Sequence, residues 1–235
     1  MKILSLDSSA TCASVSIFDT DQHKIIGEFF INTKLTHSQT LMPMVDAVLN
    51  STNTKLEDID LFAVNTGPGS FTGIRIGVSA VKGMAMALNK PCASVSTLHS
   101  MAYNFIDYDD VIVCACMDAR RNQVYNALFK ISGGTITRIC DDRAISIENL
   151  YAELSSFEQE VVLVGDGAAL VNNSNTENSN IELAVESRRY QTASSVAMCA
   201  CEYINTNNLL SASQLMPTYL RPSQAERERE NKEKE

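Results

Sequence analysis

The run from Asn65 to Gly77, NTGPGSFTGIRIG, limits the fold more than any other part of the chain. It follows a short apolar stretch, Leu61–Asn65, that reads as a buried strand. Gly67, Pro68 and Gly69 then close a tight turn. A helical pattern follows, predicting a helix over about Phe71–Leu88. Gly69, Gly73 and Gly77 recur every four residues, with Ala80 next on the same side. Each interior glycine costs a helix about 1 kcal/mol relative to alanine. A stripe of them therefore implies close approach by a second backbone, nearer than the usual ~8–10 Å between helices. That backbone belongs either to the chain's own first helix or to another molecule, and spacing alone leaves both open. The segment is not a P-loop, because no Gly-Lys-Ser/Thr follows, and its glycine spacing is not a dinucleotide fingerprint. The amides at the start of the helix could still hold an anion.

The rest of the chain builds an α/β frame around this segment. Residues 2–7, 13–19 and 24–31 read as three antiparallel strands with short turns. Leu41, Met44, Val45, Val48 and Leu49 fall at helical spacing, with Thr36 or Ser38 as N-cap. A strand over 91–95 and a helix over 97–105 complete the first half. After Asp107–Asp110 the pattern restarts. Residues 111–117 and 123–129 read as a hairpin around the charged turn 118–122, and Gly133-Gly134 marks another turn. A helix over 146–155, a strand over 161–164 ending in Gly165-Asp166-Gly167, a polar loop over 172–180 and a helix over 192–205 follow. This order predicts mixed sheets packed with helices. Two lobes are expected, 1–105 and 106–220, followed by a charged tail over 221–235.

The formal net charge of −9 argues against a broad basic surface for a phosphate backbone. The tail carries five basic and five acidic residues, so the negative charge belongs to the folded body. Seven cysteines, an odd number, sit in mostly apolar surroundings, and the close pairs are C-x-C. They read as reduced, buried thiols and not as a zinc site. The N-terminus turns polar at Asp7, too early for a signal peptide, and no run reaches the ~18 apolar residues of a membrane span. A cytoplasmic location without a membrane anchor is expected.

Three groups of residues could carry function. Asp7, Ser8 and Ser9 follow the first strand, where a carboxylate and hydroxyls could hold a metal–phosphate group; a plain polar turn is the alternative. Arg120 and Arg121 sit in the hairpin turn and could meet a partner or RNA. Arg75 lies beside the glycine stripe and could meet an acidic group or a phosphate.

Several stretches together resemble the TsaB family, also called YeaZ: LSLDSSATCASVSIFD (4–19), THSQTLMPMVDAVL (36–49), FAVNTGPGSFTGIRIGVSAVKGMAMAL (62–88), VSTLHSMAY (95–103), CMDARRNQVYNALF (116–129), VGDGA (164–168) and PTYLR (217–221). The resemblance implies the two-lobed α/β fold of actin, heat-shock chaperone ATPases and sugar kinases, each lobe a mixed sheet packed with helices. It implies a non-catalytic companion of TsaD, which transfers threonylcarbamoyl from threonylcarbamoyl-AMP to adenosine 37 of tRNAs reading ANN codons, with TsaE joining the complex. A homodimer of the free protein and only indirect contact with tRNA go with that reading. Family members pair the two helices of the first lobe with those of TsaD or of a second copy. On this chain the implied interface is His37, Leu41, Met44, Val45, Val48, Gly69, Gly73, Ile76, Gly77 and Ala80. Asp7, Ser8, Ser9, Gly67 and Gly69 would be a vestigial nucleotide site. TsaD carries a His-x-x-x-His metal pair where this chain has Thr97 and Met101, leaving His99 alone. The first loop also departs from the kinase pattern at Ser8-Ser9. Neither a metal nor bound ATP is therefore expected. An ATP-dependent kinase-like transferase of the same fold is the alternative, and a metallopeptidase is disfavoured by the missing metal pair.

Overall fold

The computed structural model describes residues 1–33, 35–174 and 179–221. It contains two sheets. The first is built from β1 (Lys2–Asp7), β2 (Cys12–Asp19), β3 (Lys24–Asn32), β4 (Leu61–Gly67) and β5 (Cys92–Ser96), in the order β3-β2-β1-β4-β5. β1, β2 and β3 are antiparallel, while β4 and β5 run parallel to β1. The helix α1 (His37–Ser51) crosses from β3 towards β4, and α2 (Phe71–Leu88) crosses from β4 to β5. α3 (Thr97–Ala102) follows directly, ending in a 3-10 turn over Tyr103–Phe105.

The second sheet repeats this topology. β6 (Val111–Asp118), β7 (Gln123–Ser132) and β8 (Thr135–Arg138) form an antiparallel meander, and β10 (Glu160–Val164) and β11 (Ile181–Leu183) add parallel strands on the other side of β6. β9 (Arg143–Ser146) pairs with the far end of β7, and α4 (Ile147–Leu154) leads from it towards β10. α5 (Ala168–Asn172), α6 (Glu186–Arg189) and α7 (Ala193–Asn205) complete the elements. A three-stranded meander followed by two parallel strands thus occurs twice. The sequence shows no such repeat, because the two copies share a strand order and not a residue pattern. The strands β8, β9 and β11 and the short helices α5 and α6 were not legible in the sequence.

Helix faces follow the apolar spacing. Leu41, Met44, Val45 and Val48 of α1 and Ile74, Val78, Val81, Met84 and Ala85 of α2 are buried against one face of the first sheet. Thr36 precedes α1 but caps nothing with its side chain, whereas Ser70 caps α2 by accepting from the Gly73 amide at 3.2 Å. Asn89 ends α2 in the left-handed conformation. By length and mean hydropathy alone α2 could pass for a membrane span, but Arg75 and Lys82 interrupt its apolar run and one face of it is packed on the sheet. Core packing is the physical reason for that apolar composition.

The division at residue 105 needs a correction. α7 packs Val196, Ala197, Cys199 and Ala200 on Ile3, Leu61, Ala63 and Val95, the second face of the first sheet. The Glu28 carboxylate of β3 accepts from the Ser194 amide at 2.8 Å and from its hydroxyl at 2.9 Å, fixing the first turn of α7. Beyond α7 the chain runs along the first lobe as a strap. Leu210 pairs with Cys92, and Leu215 is fully buried in the core beneath α2. Residues 193–220 therefore lie on the first lobe and not in the expected second lobe over 106–220. Apart from Arg221, the charged tail expected over 221–235 lies outside the described residues.

Candidate functional site

The glycine stripe faces inward. A Cβ on Gly73 would stand 2.1 Å from the Ser8 carbonyl oxygen, one on Gly77 would stand 2.5 Å from the Ser8 hydroxyl, and one on Gly69 2.3 Å from the Ser9 carbonyl oxygen. The close backbone is the chain's own β1–β2 loop, neither α1 nor a second molecule. The Ser8 hydroxyl donates to the Gly73 carbonyl at 2.9 Å, and the Ser70 amide donates to the Ser9 carbonyl at 2.6 Å. His37 Nε2 holds the same loop through the Ala10 carbonyl at 2.6 Å.

This packing corrects the expected interface. Gly73 and Gly77 are buried, and Leu41, Met44, Val45 and Val48 fill the core. Of these six, Leu41 still lines the floor of the groove between α1 and α2, and Gly73 that of the adjoining hollow, while Met44, Val45, Val48 and Gly77 are taken up by the core and the loop. His37, Ile76 and Ala80 do reach the surface, in a groove between α1 and α2 completed by Met42, Phe71 and Arg75. Met42 and Met86 are 46% and 64% exposed, which continues an apolar outer face along α2.

The loop also decides the nucleotide question. The structure brings Asp7, Ser8, Ser9 and Gly69 together, while Gly67 packs against the Thr218 carbonyl. Asp7 is fully buried. Its Oδ1 accepts from the Ser9 hydroxyl and from Asn65 Nδ2, each at 2.7 Å, and Oδ2 has no partner. Burial pushes its carboxyl above the usual range, which favours the neutral form. A neutral, enclosed carboxyl is a poor ligand for a metal–phosphate group. The Ser70 and Gly73 amides that could cradle a phosphate are already used by Ser9 and Ser70. These residues do not fit a bound metal–nucleotide.

Between the lobes lies a polar cavity of about 630 Å³, lined by Ser9, Gly69, Ser70, Asp118, Arg120 and Asp166, with Tyr125 and Tyr219 at its sides. Burial pushes Asp166 up to about 6, and the neighbouring Asp118 carboxylate adds to the rise against hydrogen bonds from backbone amides. Arg120, Arg121 and Asn122 hold three successive left-handed conformations, at φ 64°, 56° and 57°, so the turn projects both guanidiniums into solvent. Arg120 lines the cavity, and Arg121 does not.

At the positions of the transferase metal pair, Thr97 and Met101 are buried. His99 stacks on Phe129 with ring centroids 5.3 Å apart and places Nδ1 3.4 Å from Cys199 Sγ. Among the described residues no three His, Cys, Asp or Glu side chains are arranged to hold a metal. Sequence reasoning missed Asp118, Asp166, Tyr219 and Arg221 as site residues. Their signal lay only in the family-like stretches VGDGA, MDARR and PTYLR, because single polar residues in turns carry no periodicity.

Two sheets of one topology around a cleft define a two-lobed mixed α/β protein, here with the β1–β2 loop packed on the start of α2. A family model described as TsaD, tRNA N6-adenosine threonylcarbamoyltransferase, matches residues 24–229. The tRNA threonylcarbamoyladenosine biosynthesis protein TsaB of Bacillus subtilis (strain 168) is 31% identical over 170 residues, covering 72% of this chain and 73% of that protein. TsaB of Escherichia coli (strain K12) is 31% identical over 71% of this chain and 72% of its own length. YeaZ from Pseudomonas aeruginosa superposes with a TM-score of 0.78 over 93% of this chain and 99% of that one, at 24% identity. The chain belongs to the TsaB family, within the wider family that the TsaD model describes.

Two expectations follow from this geometry. Gly73→Ala should destabilise by about 1–3 kcal/mol because its Cβ overlaps a backbone oxygen. Gly83→Ala, in open space on the same helix, should stabilise by roughly 0.5–1 kcal/mol. Urea unfolding of the two variants measures both, and equal effects would contradict the packing. Asp166 binds its proton more tightly folded than unfolded, since about 6 lies above the ordinary value of 3.8. Between those values the folded state holds the extra proton, so stability falls as pH rises through the window. Asp166→Asn removes this loss, and its stability relative to the wild type should rise by about 1–3 kcal/mol from pH 4 to pH 7. A pH-independent difference would contradict the assignment.

Proposed function

We propose that this protein is the non-catalytic companion subunit of TsaD in the synthesis of N6-threonylcarbamoyladenosine on tRNA. Family membership supports the pathway and the pairing with TsaD. The observation that carries the role is the contrast between the two surfaces. The phosphate-binding loops are packed shut, whereas the groove between α1 and α2 stays open and apolar. The occupant is the equivalent helix pair of TsaD, laid along Ile76, Ala80 and Met42. In the absence of TsaD a second copy takes the same face, so homodimer and heterodimer exclude one another. TsaE joins the assembled pair, and tRNA is held by TsaD, consistent with the acidic balance of this chain. The complex works in the cytoplasm.

The kinase-like alternative finds no support in the geometry, because Asp7 is enclosed and the nearby amides are used internally. The test is gel filtration with light scattering of this protein, TsaD of the same organism and their mixture, beside a tRNA modification assay. A heterodimer that restores modification is expected. Ala80→Glu, on the outer face of α2, should weaken the complex by at least about 30-fold while leaving the fold intact. A mixture in which wild-type chains never associate would refute the reading.

A further inference from the structure

Among the described residues the helix groove holds one arginine, Arg75, and the strap keeps it in place. Arg75 projects from α2 with its guanidinium carbon 4.0 Å above the Phe71 ring. Phe71 stacks on Tyr219 of the strap, with centroids 4.5 Å apart and planes at 22°. Arg75 Nε donates to the Tyr219 hydroxyl at 2.8 Å. The strap is itself anchored. The Thr218 amide donates to the Thr66 carbonyl at 2.8 Å, and Arg221 donates to Gln123 Oε1 at 2.6 Å on the other lobe. The guanidinium is therefore fixed on one ring face and through one nitrogen. Among the described residues no carboxylate lies within ion-pair distance of it. A protein with a net charge of −9 has many carboxylates, yet among the described residues this arginine is exposed in an apolar groove with no carboxylate paired to it.

We propose that the Phe71–Arg75–Tyr219 stack is a preorganised receptor for a carboxylate on the TsaD helix pair, so that the C-terminal strap is a third element of the interface. The proposal rests on the companion reading and adds a specific contact to it. An arginine whose Nε and ring face are already engaged presents its terminal amino groups as a fixed fork, the geometry that a carboxylate accepts in two parallel hydrogen bonds. Holding that fork before association removes part of the ordering cost of binding. Tyr219 is a positioning residue in this account, and Arg75 makes the contact. Lys82, which reaches the Ser213 carbonyl at 3.4 Å, ties the strap to the same face of α2 one turn beyond Ser79.

The experiment measures the affinity of the full chain for TsaD at several salt concentrations, for wild type and four variants. Arg75→Gln should weaken binding about 30-fold and Arg75→Glu more than about 100-fold. Tyr219→Ala should weaken it about tenfold by freeing the guanidinium, and Tyr219→Phe less, since stacking is kept. Wild-type affinity should fall as salt rises, and Arg75→Gln should flatten that slope, which a purely structural role would not do. Circular dichroism melting verifies that each variant is folded. If wild type binds and Arg75→Glu binds equally well with the same salt slope, the receptor assignment is overturned while the companion reading stands. If wild type does not bind, it is the companion reading that fails.

Discussion

The contact between the β1–β2 loop and the glycine face of α2 sets most of what this molecule can do. Ser9 and Ser8 press their carbonyls into the space that Cβ atoms on Gly69 and Gly73 would take, and the Ser8 hydroxyl fills the corresponding space at Gly77. The Ser8 hydroxyl and the Ser70 amide lock the two segments together. This contact fixes the roll of α2 about its axis. Ile74, Val78 and Val81 then point into the core, and Arg75, Ile76, Ser79 and Ala80 point outward. The outer groove is a consequence of the inner contact. So is the occupied start of α2, where the Ser70 amide is spent on the Ser9 carbonyl and the Gly73 amide on the Ser70 hydroxyl.

The same duplicated sheet serves two ends. In the first lobe, helices cover both faces: α1 and α2 on one, and α7, joined by Tyr103 of the 3-10 turn, on the other. α3 and the turn after it pack on the second sheet, where Leu98, Met101 and Phe105 meet Val113, Ala115 and Val164. Returning α7 and the strap to the first lobe leaves that lobe with more buried surface and with a segment that bridges the cleft through Arg221.

The first lobe was legible because its elements obey simple periodicities. The α1 spacing Leu41, Met44, Val45, Val48 fell in the core as a helical face must. The glycine stripe was legible as a demand for close approach, but not as to what approaches. A glycine records only that space is needed, and a serine carbonyl from a distant turn leaves no periodic mark. The strap was illegible for the same reason: Leu210, Leu215 and Tyr219 are isolated apolar residues without helix or strand spacing, each placed by a tertiary contact. The family resemblance covered PTYLR and so marked the segment, without saying where it lies.

Hydrogen exchange of this protein with and without TsaD tests the central claim most directly, because it reads every surface at once. Slower exchange is expected over residues 71–88, 37–42 and 216–221, with the edge strand β3 and the hairpin β7–β8 unchanged. Slower exchange confined to β3, or to the walls of the interlobe cavity with α2 unaffected, would contradict the account and place the partner elsewhere.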